Sequence, residues 1–505
     1  MNAAIFLENS AGKYPDRTAV VSGDCRLTYR ELDERSARLA GGMRNAGLRP
    51  GDRVAILFYN SHTFVETYFA AVRAGLVATP VNTRLAPPEM AYVLNNSEAD
   101  ALFYGPEFEE IVQRIRGELP AVKLFVSPRP EGSVQALDYE DFLAGGERLP
   151  ESEPVAAADP CQIVYTSGTT GRPKGAVLTH GGVVWNFFNT VLAREDPPGQ
   201  TILIIGPLSH GAPLNNQLTI HIGLGGTCVL MRKFDPEGVL RTIQKEKISV
   251  MVAAPAVYNL LMQHPGAETY DTGSVTHLTS GADKLPMETK RKILSFFPGI
   301  QGVYNAYGCT ETTATATVLK AVDCLRKEGS VGQPVPFLQV RVVDEDGQRV
   351  PPGQVGELVC KGPVVMQGYY RNPKATQEAI RDGWLHTGDL ARMDEEGYFY
   401  IVDRKKDMLV SGGENIYPRE VEEVLYTHPE ISDAAVVGVP DDVWGESVKA
   451  FVVRMPGSSL DAEGVIEYCK SRLASYKKPK AVEFLDVIPR SASGKALKNR
   501  LRSMP

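Results

Sequence analysis

Residues 51–81 decide the fold. Gly51-Asp52 turns into Val54-Ala55-Ile56-Leu57-Phe58, a short, wholly apolar strand. Residues 64–74 then carry the periodicity of an amphipathic helix, and Val77-Ala78-Thr79-Pro80-Val81 is the next strand. Working outward, residues 27–29 lead into a helix over 31–45, in which Leu32, Ser36, Leu39 and Met43 fall on one face. Downstream, residues 202–205, 227–230, 249–252 and 276–278 repeat the buried-strand pattern. Apolar strands alternating with helices of about 10–15 residues predict an α/β fold with a doubly wound parallel sheet.

Past residue 325 the texture changes. Residues 340–343, 356–360 and 398–402 are short strands separated by Gly and Pro, which predicts a small antiparallel, β-barrel-like region. Asp403-Arg404-Lys405-Lys406-Asp407 is a charged run that, on its own, describes an exposed turn. About one hundred residues with their own α/β rhythm follow: helices over 418–427 and 462–473, strands over 433–439 and 448–454. The predicted division is a large N-terminal domain, 1–403, and a smaller C-terminal α/β domain, 404–505.

The 505 residues are 43% apolar and 23% charged, an ordinary globular composition. The net charge of −7 gives no hint of a nucleic-acid-binding face. One segment departs from it: residues 470–502 hold ten Lys or Arg against Glu483 and Asp486, either a solvated basic tail or a surface that meets a polyanionic small molecule. The seven cysteines are scattered, with no Cys-x-x-Cys and no Cys/His cluster, so neither a disulfide framework nor a zinc site is indicated. No apolar run reaches the ~18 residues of a membrane span. The N-terminus lacks a signal-peptide pattern, and Arg502-Ser503-Met504-Pro505 is no sorting address. A cytoplasmic location is the expectation.

The strongest chemical signal is Tyr165-Thr166-Ser167-Gly168-Thr169-Thr170-Gly171-Arg172-Pro173-Lys174-Gly175. An apolar strand runs into it, and a helical pattern follows with Thr179 as N-cap. Glycines let the backbone approach an anion, hydroxyls and Lys174 add donors, and successive N–H groups can form an anion nest. A flexible turn requires none of these. The spacing is not that of a Walker A loop.

This loop resembles the signature of the adenylate-forming superfamily: acyl-CoA synthetases, stand-alone adenylation enzymes and beetle-type luciferases. Tyr307-Gly308-Cys309-Thr310-Glu311 resembles the family's Tyr-Gly-x-Thr-Glu motif, Thr387-Gly388-Asp389 its Thr-Gly-Asp motif, and the run 403–407 its hinge. Gly412-Gly413-Glu414-Asn415-Ile416-Tyr417-Pro418 resembles the segment after the hinge, and Pro489-Arg490-Ser491-Ala492-Ser493-Gly494-Lys495 the terminal lysine motif. The motifs stand in family order over nearly the whole chain.

The resemblance implies an ATP-dependent acyl-CoA ligase of two steps. A carboxylate attacks the α-phosphate of ATP, pyrophosphate leaves, and the acyl-adenylate is then transferred to CoA. It assigns ATP and phosphate contacts to Thr166, Ser167, Gly168, Thr169, Thr170, Lys174, Gly281, Ala282 and Tyr307. Thr310 would donate to the α-phosphate, and Glu311 suits Mg2+, a hard cation that takes carboxylate and phosphate oxygens. Asp389 and Arg404 would hold the ribose. Lys495 is the expected catalytic lysine of adenylation, a compact charged donor on a long stem. Lys406 stands at the hinge of a mobile C-terminal domain, and Gly412 and Gly413 would line the pantetheine tunnel of CoA. The Pro-x-x-x-x-Gly-Lys pattern at Lys495 matches sites of reversible acetylation by a lysine acetyltransferase, and the family admits a homodimer. The alternatives are an adenylation enzyme that loads a carrier protein and a catalytically silent nucleotide-binding scaffold.

The resemblance places the acyl pocket at His210, Ala212, Ser280, Ala306, Gly308 and Cys309, with His210 matching the gate residue. Residues 206–214 contain no aspartate to meet a substrate ammonium, which disfavours an amino acid. Gly308 stands where acetate-specific relatives carry Trp, so a longer or cyclic tail is expected. Lys284 keeps a dicarboxylate open. Ser209, Asp283-Lys284 and Cys309 depart from the common pattern. The expected substrate is a monocarboxylic acid, medium-chain fatty or cyclic/aromatic.

Overall fold

The computed structural model describes residues 1–129, 135–166, 172–283, 285–411, 414–441, 443–490 and 496–504. Two compact units are present: one of residues 1–340 and 360–385, the other of 341–359 and 386–505.

The first unit holds two large sheets. A nine-stranded sheet runs in the order Gln333–Pro334, Thr317–Leu319, Tyr304–Tyr307, His277–Gly281, Val250–Ala253, Thr201–Ile204, Thr227–Leu230, Thr18–Ser22, Cys25–Thr28. An eight-stranded sheet runs Gly368–Tyr369, Lys174–Thr179, Pro160–Thr166, Val77–Pro80, Arg53–Leu57, Ala101–Tyr104, Leu124–Ser127, Leu137–Asp138. The central strands of both are parallel; both margins of the nine-stranded sheet are antiparallel, as is the Gly368–Tyr369 end of the eight-stranded one, whose other end stays parallel. The expected α/β, doubly wound class is borne out.

Side-chain alternation builds the layers. Val54 and Ile56 join one core with Ile202, Ile204 and Val250 of the other sheet, and with helices Tyr29–Asn45 and His62–Arg73 between them. Ala55 and Leu57 face a separate outer core under Pro87–Asn96. Leu203, Met251 and Leu278 face a third, under Pro236–Glu246 and Met287–Phe296. Each fully buried Val, Leu or Ile contributes about 1.5–3 kcal/mol relative to exposure. Helix Tyr29–Asn45 begins two residues before the sequence pattern suggests, because Thr28 and Glu31 form a reciprocal capping box.

The second unit has its own sheet of Glu414–Ile416, Leu409–Ser411, Gly445–Arg454 and Ile431–Asp441, with Ala481–Phe484 beside Gly445–Arg454. Ala434 and Val436 face helices Pro418–Tyr426 and Ala462–Lys470. Ala435 and Val437 face Ile488 and Leu501, the latter on the short helix Lys498–Arg502. The charged run is not wholly an exposed turn. Phe399–Arg404 is a strand, Asp403 and Asp407 are buried, and only Lys405 and Lys406 project at the turn. Among the described residues no helix is long and apolar enough to cross a membrane.

Candidate active site

In an open α/β sheet, ligands settle at the carboxyl ends of strands where the winding reverses. In the nine-stranded sheet the chain passes from Thr201–Ile204 to Thr227–Leu230 on one side and then to Val250–Ala253 on the other. The reversal therefore opens beyond Ile204, where Gly206-Pro207-Leu208-Ser209-His210 begins. In the eight-stranded sheet Arg53–Leu57 is the reversal strand, leading to Asn60. The Asn60 side chain ties the two openings together: its Nδ2 donates to Gly206 O at 2.9 Å and Met231 O at 3.1 Å, and its Oδ1 accepts from Leu208 N–H at 2.8 Å.

The glycine- and hydroxyl-rich loop leaves the carboxyl end of Pro160–Thr166. Contrary to the strand–loop–helix expectation, the next long described element is a strand: Lys174–Thr179 runs antiparallel to Pro160–Thr166, with Thr166 opposite Lys174. A Cβ on Gly175 would meet Ile163 Cγ2 at 2.7 Å, so the return strand needs glycine there. Thr179 then caps His180–Arg194 as expected, its side chain accepting from Gly182 N–H at 2.9 Å.

A turn at Thr310–Thr312 meets this strand pair. Tyr369 Oη donates to Glu311 Oε1 at 2.7 Å, and Lys174 Nζ lies 5.1 Å from the Tyr369 ring centroid. Met366 N–H donates to Glu311 O at 2.8 Å. Gly211, next to His210, is placed so that a Cβ would lie 3.9 Å from Thr310 Oγ1. Lys174, Thr310, Glu311 and the His210 segment are thus gathered in one unit. The turn is held by its backbone. A Cβ on Gly308 would lie 2.0 Å from Ala314 O, and Thr313 (φ 54°) and Ala314 (φ 112°) adopt left-handed conformations. Ala282 (φ 67°) does so at the end of His277–Gly281. Such strain concentrates at functional sites. Gly308 therefore answers to a close backbone approach, whatever space it also leaves for an acyl tail.

Gly281 pairs with Ala306, and Ser280 with Asn305. Successive residues of a strand face opposite sides, so Ser280 does not share the face of Gly281 and Ala306. Tyr307, Cys309 and His210 are half-buried, and Ala212 is exposed. Cys309 N–H donates to Thr312 Oγ1 at 3.2 Å. Ser167, Gly168, Thr169, Thr170, Lys284, Gly412, Gly413 and Lys495 lie outside the described residues.

The second unit holds its own group. Arg404 Nε donates to Asp389 Oδ1 at 2.6 Å, with Asp389 buried. Lys406 occupies the exposed turn after Phe399–Arg404. Glu422 pairs with Lys498 at 2.9 Å and Asp407 with Arg502 at 3.1 Å, while Asp403 accepts from Arg419 N–H at 2.9 Å. Burial raises the Glu422 and Asp403 carboxyls, and Lys498 works against both shifts.

No group of three or more His, Cys, Asp or Glu able to cage a metal occurs among the described residues. The lone Glu311 carboxylate fits Mg2+, which keeps several waters and takes phosphate oxygens rather than a protein cage. When bound it would neutralise phosphate charge.

The model of the AMP-binding enzyme family matches residues 7–370, and that of the AMP-binding enzyme C-terminal domain matches 420–495. The chain belongs to the AMP-binding enzyme family. Within it, the chain is 42% identical to a feruloyl-CoA synthase of an Amycolatopsis species over 97% of this chain and 96% of that one. It is 38% identical to an indoleacetate–CoA ligase of Aromatoleum aromaticum over 100% and 98%. The crystal structure of the anthranilate CoA ligase AuaEII with anthranoyl-AMP superposes with a TM-score of 0.92 at 27% identity, covering 100% and 97% of the two chains. The acyl-CoA ligase class expected from the motifs, with ATP and CoA as co-substrates, is borne out. Two residues that hold this candidate site together carried no signal in the sequence. Tyr369 stands 58 positions beyond the Glu311 it contacts, and Asn60 stands 146 before Gly206.

Proposed function

We propose that this enzyme activates an aromatic monocarboxylic acid and delivers it to CoA. The observation that carries the reading is the uncharged first segment of the lining: residues 206–217 contain no Asp, Glu, Lys or Arg, so an ammonium or second carboxylate buried against it would lack a counter-charge, and Lys284 alone is left to meet a dicarboxylate. An uncharged lining suits a fatty tail and a ring alike; the choice of a ring is supported by the named relatives, which take ferulate, indoleacetate and anthranilate.

The chemistry is positioning and charge neutralisation. Lys174 and the loop after Thr166 bind the phosphates of ATP, and Thr310 orients the α-phosphate. Tyr369 fixes the rotamer of Glu311, the Mg2+-facing carboxylate. Asp389 and Arg404, already paired, hold the ribose. Lys495 stabilises charge on the α-phosphate and carboxylate during adenylation. Rotation at Lys406 separates the two half-reactions, with the division near residue 403 and with Gly412 and Gly413 passing the pantetheine arm. Acetylation of Lys495 would remove its charge and stop the first step. Cytoplasmic residence and a homodimer complete the reading.

The test is kcat/KM over C2–C16 fatty acids, benzoate-, arylacetate- and cinnamate-type acids, with CoA or a holo-carrier protein as acceptor. Highest values for arylcarboxylates with CoA are expected. A flat response, or a fatty-acid optimum, overturns the acid assignment, and preference for the carrier overturns the acceptor.

A further inference from the structure

We propose that Gln217 and Thr279 form a hydrogen-bonding stop at the end of the acyl pocket, which receives an O–H or N–H borne by the ring of the acid. The inference rests on the aromatic-acid reading above and names the ring chemistry that reading leaves open.

Helix Gly211–Pro213 continues into a π-helical turn, Leu214–Leu218, before the α-helical turn Thr219–Gly223. Such wide turns recur at functional sites. This one is locked from behind. Arg194, fully buried, donates to Asn216 O at 3.0 Å and to Asp196 Oδ2 at 2.5 Å, and the His221 ring nitrogen Nδ1 lies 2.9 Å from Gln217 O. Burial would raise the Asp196 carboxyl, but Arg194 and His277 hold it down to about 2, so the anchor stays ionised at neutral pH.

The Gln217 side chain is correspondingly fixed. The residue is 4% exposed, and its Nε2 donates to Val252 O at 3.3 Å. Its Oε1, fully buried, has no hydrogen-bond partner among the described residues. Thr279 Oγ1 is in the same condition, and Thr279 is wholly buried. The register relates the two, because Gln217 holds the Val252 carbonyl and Val252 is the strand partner of Thr279. Val252 pairs with Thr279, so these residues share a sheet face, and that face continues through Gly281 and Ala306 at the strand ends. Val252 itself is only half-buried, so the opening at the carboxyl ends reaches this depth.

A buried carbonyl oxygen without a partner is destabilising, because it has given up its bond to water and gained none. An alkyl tail would leave that cost standing. A charged donor would need a counter-ion that residues 206–217 lack. A neutral donor, a phenol O–H or an indole N–H, satisfies Oε1, and Thr279 can accept or donate beside it. A site built around such a bond rejects the analogue that lacks the donor, because its own polar atoms are then left bare.

The probe is a matched pair, 4-hydroxycinnamate and cinnamate, read as kcat/KM in wild type, Gln217→Leu and Thr279→Val. Wild type is expected to favour the hydroxylated acid by about 10- to 100-fold. Gln217→Leu should lose at least about tenfold on that acid while cinnamate holds or gains as the bare oxygen is removed, bringing the ratio near one, with Thr279→Val moving it the same way by less. Gln217→Met replaces Gln217→Leu if the latter melts early. A wild-type ratio near one with both acids consumed overturns this inference alone, as does an equal loss on both acids in the folded variants. Consumption of fatty acids only overturns the aromatic reading and the inference with it.

Discussion

The two units hold their candidate functional groups by different means. In the first, the Thr310–Thr312 turn is shaped by the main chain: Gly308 against Ala314 O, left-handed Thr313 and Ala314, and a neutral phenol on Glu311. In the second, ion pairs do the holding: Asp389 with Arg404, Glu422 with Lys498, Asp407 with Arg502. A backbone approach offers one geometry. An ion pair whose cation stays partly exposed, as Arg404 and Arg502 do, leaves that cation able to return to water. The first suits a site that must be preorganised, the second a unit whose groups must serve in turn.

The sharpest test of that contrast is Lys495→Ala. Adenylation, followed as pyrophosphate release, should fall on the order of 10²–10³-fold, the value of one transition-state donor. Thioester formation from preformed acyl-adenylate should be largely kept; equal loss of both would erase the division of labour.

Acid should also separate the units. Burial pushes the imidazoles of His180 and His221, both in the first unit, down to about 4. Their unfolded forms bind protons between pH 6.5 and 4 where the folded forms do not, so the first unit loses stability as pH falls through that window. The cost is a few kcal/mol at most. Glu422 and Asp403 are shifted upward, so their contribution runs the other way: it is present at low pH and fades as pH rises through the folded values. Calorimetry from pH 7 to 4 should show an earlier first transition while Trp444, in the second unit, reports little change. A flatter slope in His221→Gln would place the effect.

Next comes Gly308→Ala. A methyl group 2.0 Å from Ala314 O should cost about 1–3 kcal/mol and reduce adenylation for short and long acids alike. A loss confined to bulky acids would make Gly308 a matter of pocket room instead. Tyr369→Phe, which frees Glu311, should lower adenylation by about tenfold with little change in melting temperature. The smallest effect on activity is expected for Arg502→Ala: a loss of a few-fold limited to adenylation, with a cost of about 1–3 kcal/mol of stability because the buried Asp407 carboxylate loses this partner.

Much of this was legible in the chain. The apolar run at 54–58 marks the strand Arg53–Leu57, and Thr179 caps its helix, because local hydrophobicity and capping chemistry act over a few residues. What depends on long-range pairing was not. Lys174–Thr179 reads as an approach to a helix, and only its partner Pro160–Thr166 makes it a strand. Asp403 and Asp407 lie in a run of five charges and are buried all the same, because Arg419 N–H and Arg502 reach them from 16 and 95 residues away. Ser280 and Thr279 differ in role by one step of register, which no periodicity in a three-residue stretch can assign.

The π-helical turn at Leu214–Leu218 has a consequence for how new specificities could arise. A wide turn stores one surplus residue relative to an α-helix, and removing it would swing the helical residues just upstream, Gly211–Pro213, by roughly 100° about the helix axis. A single-codon deletion there would exchange which side chains that helix turns toward the sheet, an evolutionary step shorter than any set of point substitutions.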